Sequence, residues 1–407
     1  MGIDGTLLVL GASRDQIFMI DTARALGLRV VAIDMDPKSE GFAHADESAV
    51  VSTRDVPAIL DLVDDLRLRG HRLVGVTTMG SDIPDVIAEL CAALGLPGPS
   101  RETARIATDK TRMKIRFRER GIPIPWFEEI DRVERLREIV AERGLPLVVK
   151  PIDRSGSRGV FLLEAGCDLE ALFARSLAFS RVGRCLVEEY LPGPQISTET
   201  ILSGGVGITP GFADRNYELL ERFRPQFMEN GGWVPSSVTP AQRRQVEDLV
   251  VRASLALGVT DGVTKGDVVW TPDGPRMIEM AARLSGGDFC ESLVPLGTGI
   301  NYVETAIRIA IGEQPDLGAL VPTRNRCVAN RYFFADPGRL VRIEGVDAIR
   351  GEPWLVKLVV RYGAGDVIPP TTSHAERAGV FVVVGDDRAE VQARIDRVYQ
   401  SVRFVVE

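Results

Sequence analysis

Thr6 to Gly11 (TLLVLG) is an uninterrupted apolar run, short enough for a strand buried on both faces of a parallel sheet. Ile17 to Leu26 follows at helical spacing, and Arg29 to Asp34 reads as a second strand ending in an acid. A strand at Leu73–Thr77 and a helix at Pro84–Leu94 complete the pattern of a doubly wound α/β unit of about a hundred residues. Pro97 to Ser100 (PGPS) reads as a linker. Ser100 is placed to cap one helix running to about Arg120, where Gly121-Ile122-Pro123 stops it. Strands are then expected at Leu147–Lys150 (LVVK), Cys185–Leu191 (CLVEEYL) and Ile196–Leu202 (ISTETIL). Asp214 to Pro235 has no clear period, and so long a segment is either a functional lid or disordered. Helices are expected at Ala241–Leu257 and at Asn301–Ile311, which stops at Gly312. From Pro322 the pattern is strand-rich (Arg331–Phe334, Leu355–Tyr362, Gly379–Val384), with a last helix near Arg388–Gln400.

A length of 407 residues sets a prior of two to four domains. The 45% apolar and 26% charged content is that of an ordinary globular protein. A net charge of −8 argues against nucleic acid or an anionic membrane as the main partner, but leaves room for a nucleotide where Lys and Arg converge locally. The five cysteines (Cys91, Cys167, Cys185, Cys290, Cys327) are dispersed without CxxC spacing and read as buried thiols of a reducing cytosol. His44, His71 and His374 are far apart, which disfavours histidine-based metal or triad chemistry; of all these side chains only Cys290 lies near the motifs below. The first residues lack the basic region of a signal peptide, and no apolar run approaches the ~18 residues of a membrane span, so a cytoplasmic protein is expected. Asp34 invites a dinucleotide reading. However, Gly11-Ala12-Ser13-Arg14-Asp15-Gln16 lacks the later glycines that let a pyrophosphate approach, which argues against NAD. The crevice there is left for a small substrate, with the amides after Gly11 facing an anion.

Chemistry concentrates in Gly262 to Asp288, GVTKGDVVWTPDGPRMIEMAARLSGGD. Two strands, Val263–Trp270 and Arg276–Ala282, joined by a five-residue loop from Thr271 to Pro275, place Trp270 opposite Arg276. Asp267 then faces Glu279 on one side of the ribbon, together with Lys265 and Ala281. Facing carboxylates repel and lower sheet stability unless something positive lies between them. Magnesium with triphosphate oxygens meets that need, since it takes one or two carboxylates and leaves its other positions to phosphate and water. Arg283 points the same way, and Ser285-Gly286-Gly287 offers backbone N–H donors. An ordinary surface hairpin with charges facing water is the competing reading. Elsewhere, Lys110, Arg112 and Lys114 read as a solvated helix face. The small, flexible loop from Asp153 to Val160 follows a strand ending in Lys150 and can fold over phosphates.

Lys110, LVVKP (147–151), SGSRGV (155–160), VEEYLPG (187–193) and IEMAARLSGG (278–287), in that order and spacing, resemble the ATP-grasp superfamily over the whole chain. The resemblance implies an ATP-grasp fold of α/β and α+β parts. A Rossmann-like domain (1–100) precedes the ATP-grasp domain (101–312, lid subdomain about 121–193), and a β-rich domain follows (313–407). It implies ATP and Mg2+ as cofactors and acyl phosphate formation on a small carboxylate. Lys110, Lys150, Ser155, Gly156, Ser157 and Gly159 would contact the phosphates, and Glu188, Glu189, Tyr190 and Leu191 would form the adenine hinge. Gln195 stands at the ribose position, where the family often has Glu. Asp267, where Glu is usual, and Glu279 would hold the metal, and Ala281 replaces the metal-binding Asn of the frequent ENPR pattern. Arg283 and Lys265 are the catalytic candidates. Arg215, Arg224, Ser285, Gly286 and Gly287 are the substrate candidates, with segment 214–235 as lid. RLSGG resembles the amino-acid-ligase branch, so the expected reaction joins a small acid to an amine with ADP and phosphate released. A bicarbonate- or formate-activating enzyme and a non-catalytic ATP-binding protein remain as alternatives, and a homodimer remains open. Small molecules, not nucleic acid or membrane, are the expected partners.

Overall fold

The computed structural model describes residues 3–286 and 288–407. Its first unit alternates β1 (Thr6–Leu10), α1 (Ile17–Ala25), β2 (Arg29–Asp34), β3 (Glu47–Val50), α2 (Val56–Leu68), β4 (Leu73–Thr77) and α3 (Pro84–Leu94). The four strands form a parallel sheet in the order β3-β2-β1-β4. Every residue of β1 is buried, which is why its sequence is apolar without alternation. Asp34 is consumed by the fold. Its Oδ2 accepts from Ala12 N at 2.9 Å, so the first amide after Gly11 is not open to an anion as the sequence suggested.

Ser100 caps a helix as expected, but the helix is broken. α4 (Arg101–Thr108) ends at Asp109, whose backbone turns extended (φ −118°, ψ 110°) and whose carboxylate caps α5 (Lys110–Glu119) by accepting from Arg112 N at 3.0 Å. A capping side chain inside an otherwise helical pattern is the signal that favours two helices over one. The break puts Lys110 on the first turn of α5.

A small subdomain follows: β5 (Phe127–Ile130), α6 (Val133–Arg143), β6 (Leu147–Pro151), β7 (Phe161–Leu163), α7 (Leu169–Phe179) and β8 (Cys185–Glu189). Its antiparallel sheet, in the order β5-β8-β6-β7, carries its own core of Ile130, Leu136, Val149, Phe161, Phe173 and Val187.

The chain then builds β9 (Gln195–Ser203), β10 (Val206–Arg215), a single turn α8 (Leu220–Phe223), β11 (Gly232–Val234), α9 (Pro240–Leu257), β12 (Gly262–Thr271) and β13 (Gly274–Ala281), with α10 (Val294–Thr298) and α11 (Tyr302–Ala310) after them. The last stretch holds β14 (Cys327–Phe333), β15 (Gly338–Glu344), α12 (Val346–Ile349), β16 (Leu355–Val360), β17 (Val367–Ile368), β18 (Gly379–Gly385), α13 (Arg388–Ser401) and β19 (Arg403–Val406). One eight-stranded sheet, β13-β12-β9-β10-β11-β14-β18-β16, runs through both stretches, so the boundary expected near residue 313 does not divide it. The bridge is β11, from the segment without a period, which pairs with β10 and β14. A single core cluster joins Leu7 and Ile20 of the first unit, Val303 and Ile307 of α11, and Phe381 and Val398 of the last stretch. Among the described residues, no helix is long and apolar enough to cross a membrane.

Candidate active site

The hairpin of β12 and β13 brings Asp267 opposite Glu279 by a route the sequence did not reveal. The turn is Pro272-Asp273 alone. Thr271 pairs with Gly274 and Trp270 with Pro275, so Arg276 faces Val269 instead of Trp270. Ile278 is then an extra residue on β13, a bulge that shifts the register by one and aligns Asp267 with Glu279 and Lys265 with Ala281. On the other side of β12, Lys265 pairs with Glu199 and Asp267 with Ser197 of β9. Alternation therefore gathers Lys265, Asp267, Glu279, Ala281, Ser197 and Glu199 on one face.

That face is not bare. Asp267 pairs with Lys265 and, at 2.9 Å, with Arg215 at the end of β10. Glu279 lies 3.5 Å from Lys110 and 4.0 Å from Lys150. Burial alone would raise the Glu279 carboxyl, but Lys110, Lys150, Lys265 and Arg215 outweigh it and hold it well below the usual carboxylate range. The expected repulsion of two facing carboxylates is thus already relieved by protein cations.

The charges continue inward. Lys150 also pairs with Glu188 of β8, and Glu188 pairs with Lys114, one helical turn beyond Lys110 on α5. Lys114, read from sequence as solvated, is 1% exposed. Burial pulls its ammonium down to about 8 against the pull of Glu188. Lys114, Glu188, Lys150, Glu279 and Lys110 form an alternating chain linking α5, β8, β6 and β13. Lys114→Met removes one partner of a buried pair and is expected to lower stability toward the lower end of about 3–5 kcal/mol, since Lys150 still neutralises Glu188. Urea denaturation measures it, and a loss below about 1 kcal/mol would contradict the pairing.

Ser155 to Gly159 leave the end of β6 beside Lys150. Gly156 (φ 70°), Ser157 (φ 57°) and Gly159 (φ 73°) adopt left-handed backbone, and for Ser157 this is uncommon. A Cβ on Gly159 would come 2.9 Å from the Phe179 ring. Lys110 Nζ donates to Arg154 O at 2.7 Å, which ties α5 to the root of the loop. At the end of β8, Glu189 is exposed, Tyr190 and Gln195 are half-buried and Leu191 is buried. Tyr190 packs on Phe227, ring centres 6.1 Å apart.

Arg283 reaches the cluster with a partner from the first unit. Its Nε donates to Asp82 at 2.7 Å, and a β-bridge between Met79 and Leu284 joins the two segments. Ser285 does not offer a free amide as expected. It is 3% exposed and its N–H donates to the buried Glu199, which also accepts from Tyr302 of α11. Burial pushes the Glu199 carboxyl up to about 7, against those two donors. Gly286 packs on Gly80, where a Cβ would come within 3.3 Å, and Gly287 lies outside the described residues.

Of the two lid arginines, Arg215 comes to the site, held between Asp267 and Glu229. Arg224 does not: it pairs with Glu164 and Glu221 at the subdomain's edge. The segment is no free lid, because Leu162 N donates to Pro225 O at 2.8 Å and β11 joins the main sheet. Cys290 is 1% exposed, and burial drives its thiol well above the ordinary value. His374, set aside on sequence grounds, donates its N–H to Gly156 O at 3.3 Å. Asp82, Lys114, Glu199, Glu229 and His374 were missed because each gains its place from a distant segment. Among the described residues no group of three or more His, Cys, Asp or Glu is placed to hold a metal by itself.

The cation-ringed carboxylate pair and the glycine loop both fall inside a matched ATP-grasp domain, which covers residues 107–287. Residues 331–407 match the L-amino acid ligase C-terminal domain 2, and the two matched domains together mark an ATP-grasp carboxylate–amine ligase. It is 27% identical to carnosine synthase 1 of Homo sapiens over 79% of this chain and 41% of that protein, so it spans about two fifths of that relative's length. It is 27% identical to the D-alanine–D-alanine ligase of Desulforudis audaxviator over 63% of this chain and 82% of the ligase. In fold it is similar to the solved L-amino acid ligase of Bacillus licheniformis, with a TM-score of 0.83, 19% identity and full coverage of both chains.

Proposed function

We propose that this ligase activates the carboxylate of an amino acid or related small acid as an acyl phosphate, with ATP as phosphoryl donor, and joins it to an amine. ADP and phosphate are the other products. The observation that carries this reading is the facing pair Asp267 and Glu279 ringed by Lys110, Lys150, Lys265 and Arg215. Phosphoryl transfer demands charge stabilisation and positioning more than covalent chemistry, and this face is built of both.

The residues fit ATP with magnesium. Two carboxylates side by side, one of them held ionised well below neutral pH, suit an ion that takes its remaining ligands from phosphate and water. Asp267 and Glu279 would hold it, and the ion would neutralise charge on the phosphate oxygens. Lys110 and Lys150 hold the phosphates, Ser155 to Gly159 cover them, and Glu188 to Leu191 with Gln195 line the base and ribose. Lys265 and Arg283 face the charge that develops on the transferred group, and Arg215 keeps Asp267 in place. No protein nucleophile is needed. The relatives' names, D-alanine–D-alanine ligase among them, support amino acids as substrates. Five free cysteines and the use of ATP suit the cytoplasm.

Hydroxylamine tests the mechanism. With ATP, magnesium and a panel of amino acids but no acceptor amine, the protein is expected to form a hydroxamate and ADP, and Cys290→Ser to do so equally well. Accumulation of AMP, or loss of trapping in Cys290→Ser, would refute the acyl phosphate. ADP release driven by bicarbonate instead of amino acids would turn the reading toward a carboxylase.

A further inference from the structure

The last stretch of the chain touches the phosphate loop through one short turn. Residues His374–Glu376 form a single 3-10 turn closed by a capping box: Glu376 accepts from Ser373 N at 2.6 Å, and Ser373 Oγ accepts from Ala375 N at 3.2 Å. Arg361 Nη1 holds the same turn from outside, donating to Ala375 O at 3.0 Å. His374 therefore stands on a rigid mount. Its backbone N–H donates to Gly156 O at 3.3 Å. Its ring Nε2 accepts from Glu229 N at 3.4 Å, while Arg377 donates to the Glu229 carbonyl. The Glu229 carboxylate in turn pairs with Arg215, the partner of Asp267. One residue thus meets both the loop beside Lys150 and the segment that brings Arg215 to the carboxylate pair.

We propose that His374 is a positioning residue for the ATP site: its N–H holds the phosphate loop closed at Gly156, and its ring fixes Glu229 and Arg215 over Asp267. This rests on the reading of residues 155–159 as the loop that covers the phosphates. A glycine-rich loop with left-handed Gly156 and Ser157 has several other conformations open to it, and a directed bond to a rigid turn biases it toward one. One such bond shifts the balance by about two- to tenfold. The site is then completed by a turn from the last stretch of the chain.

The geometry allows the backbone bond to be removed separately from the ring. His374 is the first residue of its turn, where proline is best tolerated, and Ser373 before it is extended (φ −151°, ψ 179°), as a residue preceding proline should be. His374→Ala removes the ring and keeps the N–H, whereas His374→Pro removes both. The proline variant is expected to bind ATP about two- to tenfold more weakly than the alanine variant. With ATP bound, it is also expected to show faster hydrogen exchange across 155–159, at an unchanged melting temperature. Should the proline variant melt early, Ser373→Ala, which loosens the same turn, takes its place and is expected to weaken ATP binding in the same direction. Equal affinity and equal loop protection in the alanine and proline variants, or unchanged affinity in Ser373→Ala, overturn the proposal alone. A wild-type protein that binds no ATP overturns it together with the reading on which it rests.

Discussion

Glu279→Gln is expected to lower turnover by about 10²–10⁴-fold while the protein stays folded and still binds ATP. The glutamine keeps the shape of the side chain but removes the negative charge that a divalent cation needs from the protein. The stability cost should be small, because the Glu279 side chain is 36% exposed and its partners have other contacts. Lys150 keeps Glu188, and Lys110 keeps the Arg154 carbonyl. Asp267→Asn should cost a similar factor in rate but behave differently on denaturation. Asp267 has a 6% exposed side chain between Lys265 and Arg215, so its neutralisation leaves buried cations short of a partner, at about 3–5 kcal/mol. Repulsion between facing acids would predict a gain in stability from either change; the surrounding cations reverse that sign. Steady-state kinetics and urea unfolding of the two variants decide the matter. Turnover within tenfold of wild type in Glu279→Gln would remove the metal-binding role.

What the sequence made legible was the set of residues whose roles follow from their own neighbours along the chain. Lys150 ends an apolar strand, Gly156 and Gly159 mark a loop, and Asp267 and Glu279 alternate into one face of a hairpin. The register between those two acids was predicted correctly through two errors that cancel. The turn is shorter than the five-residue loop expected from Thr271 to Pro275, and the bulge at Ile278 restores the lost residue. Nothing in a strand pattern distinguishes a bulged residue from a paired one, since both are apolar and β-compatible. The helix break at Asp109 was readable in principle, because an aspartate before a basic run is a capping signal, but helical periodicity carries across it.

Other parts could not be read locally. Lys114 sits one turn from Lys110, which suits a solvated face as well as a buried one, and only the arrival of Glu188 from β8 separates the two. Glu199 looked like one polar position in an alternating strand, yet it anchors Ser285 and Tyr302. His374 lies far along the chain from Gly156 and had no motif to mark it. The same holds for Asp82, which bears on the remaining large prediction.

Arg283→Lys is expected to lower kcat by about 10²–10³-fold with a smaller change in KM for ATP. Arg283 is the planar cation of the face: its side chain is 15% exposed, its Nε is fixed by Asp82 at 2.7 Å, and its Nη1 donates to Leu284 O at 3.2 Å. Burial works against its charge, but Asp82 and Glu199 more than offset that, and Arg283 stays protonated. A lysine would keep the charge yet lose the fork whose remaining N–H groups are free to meet phosphoryl oxygens. Asp82 belongs to the first unit, so this arginine is oriented for the sheet that carries Asp267 and Glu279 by a residue from another part of the fold. Asp82→Asn keeps one hydrogen bond to Nε and removes the charge pair, and about a tenfold loss in kcat is expected. Because Asp82 acts through Arg283, the two losses should not add: the double variant should turn over about as slowly as Arg283→Lys alone. Additive losses would mean that Asp82 touches the reaction independently, and wild-type kcat in Arg283→Lys would mean that the developing charge is met by the lysines of the opposite wall.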